Sequence, residues 1–191
     1  MDELIFLESQ NLTLRPLLES DFSVRYLNWL NEPEVNEYSQ RRPYPVSWQG
    51  MRSHWEYYGA NPEKGYVLAI ITKDTDAFIG TISIVNIQLV NRCAEIGILI
   101  GDKEMWNRSY GSEALYTVTK HGFQFLNMHK MLAGTFNPAF AKCCEKLGWT
   151  QEGAFRERIY SGGAYHDQLW FSMLDHEFSV QPQYELEAKD K

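Results

Sequence analysis

The sequence predicts an α/β (α+β) protein in which a mixed β-sheet is flanked by about four helices. Three observations predict this class: seven segments have strand-like composition, four have the apolar spacing of helices, and the two kinds alternate along much of the chain. With 191 residues, of which 44% are hydrophobic and 14% aromatic, the chain is long enough to form one domain with a full core.

The first quarter of the chain predicts one strand and two helices. Residues 11–16 alternate between apolar and polar side chains, as a half-buried strand does. Ser20 or Asp21 can cap the helix that follows, because both side chains accept hydrogen bonds from a helix N-terminus. After an irregular stretch that is basic and aromatic, a second helix is predicted from Ser47 to about Tyr58.

The centre of the chain predicts three strands, a helix and a further strand. Residues 65–89 contain two β-branched, apolar strands joined by a polar turn at residues 73–76, and residues 93–101 form a third strand of the same sheet. The spacing of apolar residues becomes helical over residues 112–126. A short strand is predicted at residues 129–136.

The last part of the chain predicts a capped helix and a hairpin. Asn137 is a good N-cap for a helix with Pro138 at its first position, and Gly148 ends that helix. The alternating segments 154–160 and 165–174 flank a Ser-Gly-Gly turn, which is typical of a β-hairpin.

Domain organisation and composition exclude several classes of protein. A single domain is predicted over residues 1–179, followed by an acidic, flexible tail over residues 180–191. The net charge of −7 and the pI of about 5.3 argue against nucleic-acid binding. No apolar run approaches the roughly 20 residues of a membrane span, and no basic leader precedes the domain, so we expect a cytoplasmic protein. The three cysteines predict neither a disulfide framework nor a metal site.

The stretch EMWNRSYGSEA lies at a junction between a predicted strand and a predicted helix. The N-terminus of a helix carries unpaired backbone N–H groups and a partial positive charge, which favour an anion. Within residues 106–112, Arg108 adds a cation, Ser109 and Ser112 add hydroxyl donors, and Gly111 lets the backbone curl inward. The junction therefore suits a phosphate or pyrophosphate. The alternative is an ordinary turn in which Ser112 is only the N-cap.

Three runs of sequence carry a resemblance to a known family. The runs AEIGILIGDKEMWNRSYGSEAL, FNPAFAKCCEKLGW and EGAFRERIYSGGAYHDQLWFSML resemble the GNAT acetyltransferases, particularly the branch of ribosomal-protein alanine and serine N-acetyltransferases. The resemblance extends from about Leu12 to Phe178. It implies a mixed sheet of six or seven strands, splayed into a V between two neighbouring parallel strands. It also implies that acetyl-CoA lies in the V.

The resemblance assigns cofactor-binding residues by matching positions. Residues 98–100 would pair with the pantetheine arm, residues 106–112 would hold the pyrophosphate, and Asn137 would contact pantetheine. The loop departs from the W-G-K-G-Y-G pattern that is usual in the branch, because Asn107 and Ser109 replace glycines. A side chain at positive φ costs free energy, so weaker binding is expected. The implied set is Ile98, Leu99, Ile100, Trp106, Asn107, Arg108, Ser109, Tyr110, Gly111, Ser112, Asn137 and Lys146.

Two residues are candidates for catalysis. Glu95 stands where several family members place the base that removes a proton from the amine. The alternatives are that it pairs with Arg92 or faces outward. Cys144 stands where many members carry a tyrosine acid, and a thiol could protonate the leaving thiolate or form an acyl-enzyme. Its alternative is core packing. Phe140 replaces a serine that is thought to assist the leaving thiolate in this branch.

Five residues are candidates for binding the acceptor. Arg41 and Arg42 fall in the segment that shapes the acceptor site in the family, and a pair of arginines can bind phosphate or carboxylate. The stretch NWLNEPEVNEYSQRR, which includes Trp29, resembles family members that acetylate amino sugars on nucleotide carriers. A solvated arginine pair is the alternative. Tyr165 and Asp167 match a Tyr-x-Asp motif of the family, and Asp167 would either attract the acceptor ammonium or brace the hairpin.

The sequence thus predicts an N-acetyltransferase that moves the acetyl group of acetyl-CoA to a primary amine. The acceptor candidates are a protein N-terminus, an amino sugar or aminoglycoside, and a polyamine. The alternative is a non-catalytic acyl-CoA-binding or regulatory protein with the same fold. Either a monomer or a homodimer is compatible with the sequence.

Overall fold

A mixed sheet of eight strands forms the centre of the computed structural model, which describes residues 4–186. The order across the sheet is β1-β2-β3-β4-β5-β6-β8-β7, and only β5 and β6 are parallel neighbours. The predicted mixed sheet is confirmed, with one strand more than expected because the two-residue β1 was not predicted. The strands are β1 (Leu7–Glu8), β2 (Leu12–Pro16), β3 (Gly65–Thr72), β4 (Ala77–Gln88), β5 (Cys93–Ile100), β6 (Lys130–Thr135), β7 (Thr150–Ser161) and β8 (Ala164–Leu174).

Five α-helices occur within residues 4–186. The predicted cap at Asn137 is confirmed, because its Oδ1 accepts from the N–H of Ala139. The helix that was predicted from Ser47 begins at Trp48, and Ser47 is its N-cap, with Oγ accepting from the N–H of Gly50. The first helix begins later than predicted, after Ser23, because residues 19–21 form a separate 3-10 turn. The helices are α1 (Val24–Trp29), α2 (Pro33–Asn36), α3 (Trp48–Ala60), α4 (Tyr110–Gln124) and α5 (Pro138–Lys146). The short α2 lies in the stretch that was expected to be irregular.

The two parallel strands separate soon after they begin. β5 and β6 are paired only where Cys93–Glu95 lie opposite Lys130–Leu132. Beyond Glu95, residues 96–100 pair with β4 alone, on the other side of β5. The sheet therefore opens into a V whose apex lies at Glu95. One backbone edge of β5 faces the opening without a strand partner among residues 4–186.

The helices cover the sheet on both faces, and each face has its own core cluster. On the face covered by α4 and α5, which we call the α4 face, Ala94 and Ile96 of β5 pack with Met131 of β6. On the face covered by α1 and α3, the α3 face, Leu99 packs against the cluster that contains Met51. Because side chains alternate along a strand, residues 95, 97 and 99 all point to the α3 face.

The segment after β8 packs against α4 for part of its length. Tyr184 is only 5% exposed, with its ring 5.5 Å from that of Tyr116, and Glu185 Oε2 accepts from Lys120 Nζ at 2.6 Å. Residues 180–186, which the sequence analysis assigns to the tail, are therefore anchored to the domain. The rest of that segment, residues 187–191, lies outside the described residues.

Two kinds of feature are absent from the described part of the chain. No helix there is long and apolar enough to cross a membrane. No group of three or more His, Cys, Asp and Glu side chains within residues 4–186 has the arrangement of a metal site.

Candidate active site

The loop before α4 has an unusual backbone. Asn107 and Ser109 have φ of 61° and 64°, so both side chains stand in the left-handed region where the family more often has glycine. The helix begins at Tyr110, two residues earlier than predicted, and its first hydrogen bond runs from the N–H of Glu113 to the carbonyl of Ser109 at 3.0 Å. Ser112 is buried inside the first turn, so it is not the N-cap.

The same loop presents a row of unpaired donors. Within the described chain, the backbone N–H groups of residues 107–112 donate to no acceptor. Alternating backbone conformations of this kind form an anion-binding concavity, and the dipole of α4 adds a partial positive charge. Lys146 Nζ lies 3.3 Å from Ser109 Oγ, and Arg108 is exposed beside it. The loop thus combines six amides with two cations, which fits a pyrophosphate.

Two further residues of the predicted cofactor set have defined roles. Trp106 Nε1 donates to the carbonyl of Ile100 at 2.8 Å, which ties the loop to the end of β5. Asn137 uses Oδ1 to cap α5, while its NH₂ group donates to nothing within residues 4–186. That amide is therefore free to contact a bound pantetheine. Because backbone groups alternate along a strand, the open edge of β5 offers the backbone of Ile98 to the same ligand. The carbonyl of Leu99 points instead toward Gly80 on β4, and the carbonyl of Ile100 accepts from Trp106.

Glu95 lies at the apex of the V, half-buried, between Val85 on β4 and Leu132 on β6. No side chain among residues 4–186 forms a hydrogen bond or an ion pair with its carboxylate. The pairing with Arg92 that the sequence left open is not formed. Arg92 instead donates to the backbone carbonyl and to Oδ1 of Asn127, at 2.7 and 2.8 Å. The Glu95 carboxylate is therefore available to take a proton on the α3 face.

Cys144 has no access to the V. Its side chain is 0% exposed and belongs to the core between α5 and the sheet, and burial raises the pKa of the thiol to about 12. A thiol that is buried and so weakly acidic is a poor proton donor, and the prediction of a catalytic role is corrected to core packing. Phe140, which replaces the family's serine, is half-buried against the same core.

Trp29 is also a core residue. Its side chain is 6% exposed, and a Cβ added at Gly101 would lie 2.2 Å from its ring. The indole therefore supports the turn after β5 from beneath. The prediction that Trp29 contacts the acceptor is corrected accordingly.

Arg42 fastens the segment between α2 and α3 to the other arm of the V. Its guanidinium donates to the carbonyls of Ser39, at 2.7 Å, and of Tyr160 on β7. It also lies over the ring of Phe136, 5.0 Å from the centroid, just beyond the end of β6. Tyr38 packs edge-on against Phe136 at 5.2 Å. Arg42 thus fixes this segment against β7 and Phe136 at the open end of the V, which we call its mouth.

Arg41 points back toward α3. Its Nη2 lies 3.1 and 3.2 Å from the two ring nitrogens of His54. Burial, together with the charge of Arg41, lowers the pKa of His54 to about 4, so the imidazole is neutral at pH 7. The two predicted arginines therefore have different surroundings, one held by carbonyls and a phenyl ring and the other packed on a neutral ring.

The hairpin residues predicted from the Tyr-x-Asp motif brace the hairpin. Asp167 Oδ1 accepts from the backbone N–H of Glu157 at 2.8 Å, where β7 bulges between Phe155 and Ile159. Tyr165 is 64% exposed, with its ring 5.1 Å from that of Tyr160. Of the two roles open for Asp167, the structure supports bracing.

The sequence analysis missed three residues near the site. His54 and Tyr58 lie one turn apart on α3, with their ring centroids 5.0 Å apart, a spacing that was visible in the sequence. Gln168 on β8 is 3% exposed, and its buried Oε1 has no partner within the described chain. A polar residue at a buried position of an alternating strand was the signal for it.

Comparison with known proteins now decides the family. Residues 11–150 match the family described as the acetyltransferase (GNAT) domain. The chain belongs to the GNAT acetyltransferases. It is 29% identical over 177 residues to N-acetyltransferase p20 of Bacillus licheniformis, which is named as uncharacterised, and the match covers 91% of this chain and 98% of the relative. As a GNAT member the chain is an acetyl-CoA-dependent acyltransferase.

Solved structures support the GNAT fold. A spermidine N-acetyltransferase from Vibrio cholerae, in complex with CoA and spermine, has a TM-score of 0.78 at 22% identity and covers 87% of this chain and 97% of its own. RimL, a ribosomal L7/L12 alpha-N-protein acetyltransferase in complex with coenzyme A, has a TM-score of 0.78 at 20% identity and covers 90% and 98%. At these identities the likeness establishes the fold.

Proposed function

We propose that this GNAT member transfers the acetyl group of acetyl-CoA directly to a primary amine inside the V between β5 and β6. One observation carries the proposal: the anion-binding loop at residues 107–112 follows the unpaired edge of β5, and that same strand places Glu95 at the apex. A ligand with a pyrophosphate and an extended amide-bearing arm matches this arrangement. Coenzyme A has both.

The cofactor side is formed by main chain more than by side chains. The pyrophosphate would accept from the amides of residues 107–112, with Arg108 and Lys146 neutralising its charge. The pantetheine amides would pair with the open edge of β5 as an added strand does, and the free amide of Asn137 would contact the arm. When bound, acetyl-CoA supplies the activated acetyl group.

The acceptor would enter from the α3 face, where Glu95 points. Glu95 takes a proton from the ammonium, and the neutral amine attacks the thioester carbonyl. As the C–N bond forms, the carbonyl oxygen becomes negative, and a backbone N–H on the open edge of β5 would donate to it. The C–S bond then breaks as the attacking nitrogen gives its second proton to water, and the thiolate is protonated by water because the thiol of Cys144 is buried.

We also propose an acceptor class, a cellular location and an oligomeric state for the protein. A peptide N-terminus and an amino sugar both carry the primary amine that the chemistry needs. We keep the cytoplasm as the proposed location, and a monomer or a homodimer as the proposed state.

Release of free CoA thiol from acetyl-CoA tests the proposal. The purified protein is assayed with a panel of primary amines that includes dipeptide amides, amino sugars and polyamines. Amine-dependent release that stops when the amine is N-methylated to a quaternary ammonium is the expected result. Tight binding of acetyl-CoA with no release for any amine would contradict it and favour the alternative, an acyl-CoA-binding protein.

A further inference from the structure

A row of side chains crosses the α3 face from the mouth of the V toward β3. The rings of His54 and Tyr58 are 5.0 Å apart and nearly perpendicular. The Tyr58 ring lies 3.0 Å from where a Cβ on Gly65 would be. Gly65 pairs with Val85, and Val85 pairs with Glu95. Residues directly opposite each other on neighbouring strands point to the same face of the sheet, so Tyr58 lies on the face to which Glu95 points. Arg41, which contacts His54 next to Tyr58, therefore lies on the same side of the sheet as the Glu95 carboxylate.

Arg41 is a cation without a carboxylate partner among residues 4–186. Its contact with His54 adds no negative charge, because an imidazole is either neutral or positive. Arg41 is exposed, so most of its guanidinium donors are open to a ligand. Its neighbour Arg42 is anchored to Tyr160 and Phe136, which limits the movement of the segment that carries Arg41. The guanidinium thus lies against α3, next to the segment that Arg42 anchors, and its contact with His54 leaves its charge unsatisfied.

The acidic groups around the mouth are mostly occupied. Glu32 and Glu34 both bind Lys103 Nζ, and Asp167 accepts from the backbone of the hairpin. Burial, and after it the neighbouring carboxylate of Glu37, raises the pKa of the Tyr38 phenol. A polyamine needs several free carboxylates along its length, and this surface offers few.

We propose that Arg41 binds an anionic group of the acceptor, so that the preferred substrate is a primary amine that also carries a carboxylate or a phosphate. The inference rests on the proposed function and deepens it by naming the substrate class. A guanidinium binds either anion through two parallel hydrogen bonds, which would orient the amine relative to Glu95. Arg41 would then be a specificity-determining residue.

Matched pairs of acceptors test the proposal. Glucosamine 6-phosphate is compared with glucosamine, and a Ser-Asp dipeptide amide with a Ser-Asn dipeptide amide, by measuring kcat/KM for thiol release. We expect the anionic member of at least one pair to be preferred by about tenfold, the discrimination that one bidentate contact provides. The first pair reports on a phosphate and the second on a carboxylate, so the pattern distinguishes the two sources.

Variants assign the preference to Arg41. In Arg41→Ala the ratio of kcat/KM for the anionic acceptor to kcat/KM for the neutral one should fall to about one. Arg41→Lys should restore part of the preference, because lysine returns the positive charge but not the two parallel N–H donors of the guanidinium. Arg52→Ala is the matched control, since Arg52 is an exposed arginine on α3 that pairs with Glu19. It should leave the ratio unchanged. Preference for the neutral members or for spermidine, or a ratio unaffected by Arg41→Ala, would overturn the proposal.

A binding measurement separates this inference from the proposed reaction. If no amine releases thiol, the proposed function fails, but the Arg41 site can still be measured by titrating glucosamine 6-phosphate and the Ser-Asp amide into the protein with CoA. Binding that weakens about tenfold in Arg41→Ala would support the site. Equal or absent binding in both proteins would overturn it.

Discussion

The two sides of the V are built in different ways. On the proposed cofactor side, the anion-binding loop and the open edge of β5 come from one continuous stretch, residues 96–112, and present backbone groups. The proposed acceptor side is formed by side chains that are distant in sequence, including Arg41 and His54 on the α3 face. Main-chain donors at a helix N-terminus change little when a side chain is replaced, whereas an assembled surface changes with each replacement. We infer that this chain keeps the family's cofactor side and has its own acceptor side.

The largest expected effect is at the apex, where the two sides meet. Glu95→Gln removes the proposed base and should lower kcat by about 100-fold or more, the usual contribution of a general base. The Kd for acetyl-CoA should stay the same, because the carboxylate lies on the acceptor side. Steady-state kinetics and calorimetry measure the two quantities. Glu63→Gln, at an exposed position, is the control; similar kcat values for the two variants would contradict the assignment.

The next effect tests whether the cofactor strand depends on its neighbour β4. A Cβ at Gly80 would lie 2.0 Å from the carbonyl oxygen of Leu99, so Gly80→Ala must displace β5. We expect a loss of roughly 2 kcal/mol in the free energy of unfolding and weaker binding of acetyl-CoA. Gly59→Ala on α3 meets nothing within 4 Å and should instead stabilise by about 0.5 kcal/mol. Denaturant unfolding compares them, and equal stabilities would refute the close approach.

A smaller effect tests the side-chain contribution to the anion site. Arg108→Ala should raise the Kd for acetyl-CoA by about fivefold to tenfold, because one exposed cation assists six backbone donors. The difference from the native protein should shrink at high salt, since screening weakens an exposed charge pair. Arg52→Ala serves as the control. If Arg108→Ala leaves the affinity unchanged at low salt, the loop does not hold the pyrophosphate through this residue.

The smallest effect concerns the backbone of the loop. Ser109→Gly removes the backbone strain of a side chain at positive φ, which should stabilise the folded state by about 1 kcal/mol. Glycine also raises the conformational entropy of the unfolded chain, which offsets much of this stabilisation. The net change in stability should stay below about 1 kcal/mol, and affinity for acetyl-CoA should change less than twofold, because the unliganded loop already has the required shape. Thermal unfolding of Ser109→Gly and Ser109→Ala checks this. A large gain in affinity for Ser109→Gly would mean that the native loop is distorted.

The sequence predicted the parts of the site that depend on local order. The loop, the cap at Asn137 and the strand that carries Glu95 follow from patterns within a few residues, since helix termini and strand alternation are local properties. Burial is not local, so Cys144 and Trp29 were assigned to chemistry although packing from distant elements encloses them. His54 was missed for the same reason, because only the tertiary fold brings Arg41 onto its ring.

The central claim is that the loop at residues 107–112 and the open edge of β5 bind acetyl-CoA. Calorimetric titration of the purified protein with acetyl-CoA, and then with CoA, tests it most directly. We expect micromolar affinity for both ligands, because the shared pyrophosphate and pantetheine make the contacts. No heat of binding up to millimolar ligand would contradict it, and would mean that the loop does not bind the pyrophosphate with Asn107 and Ser109 in place of glycines.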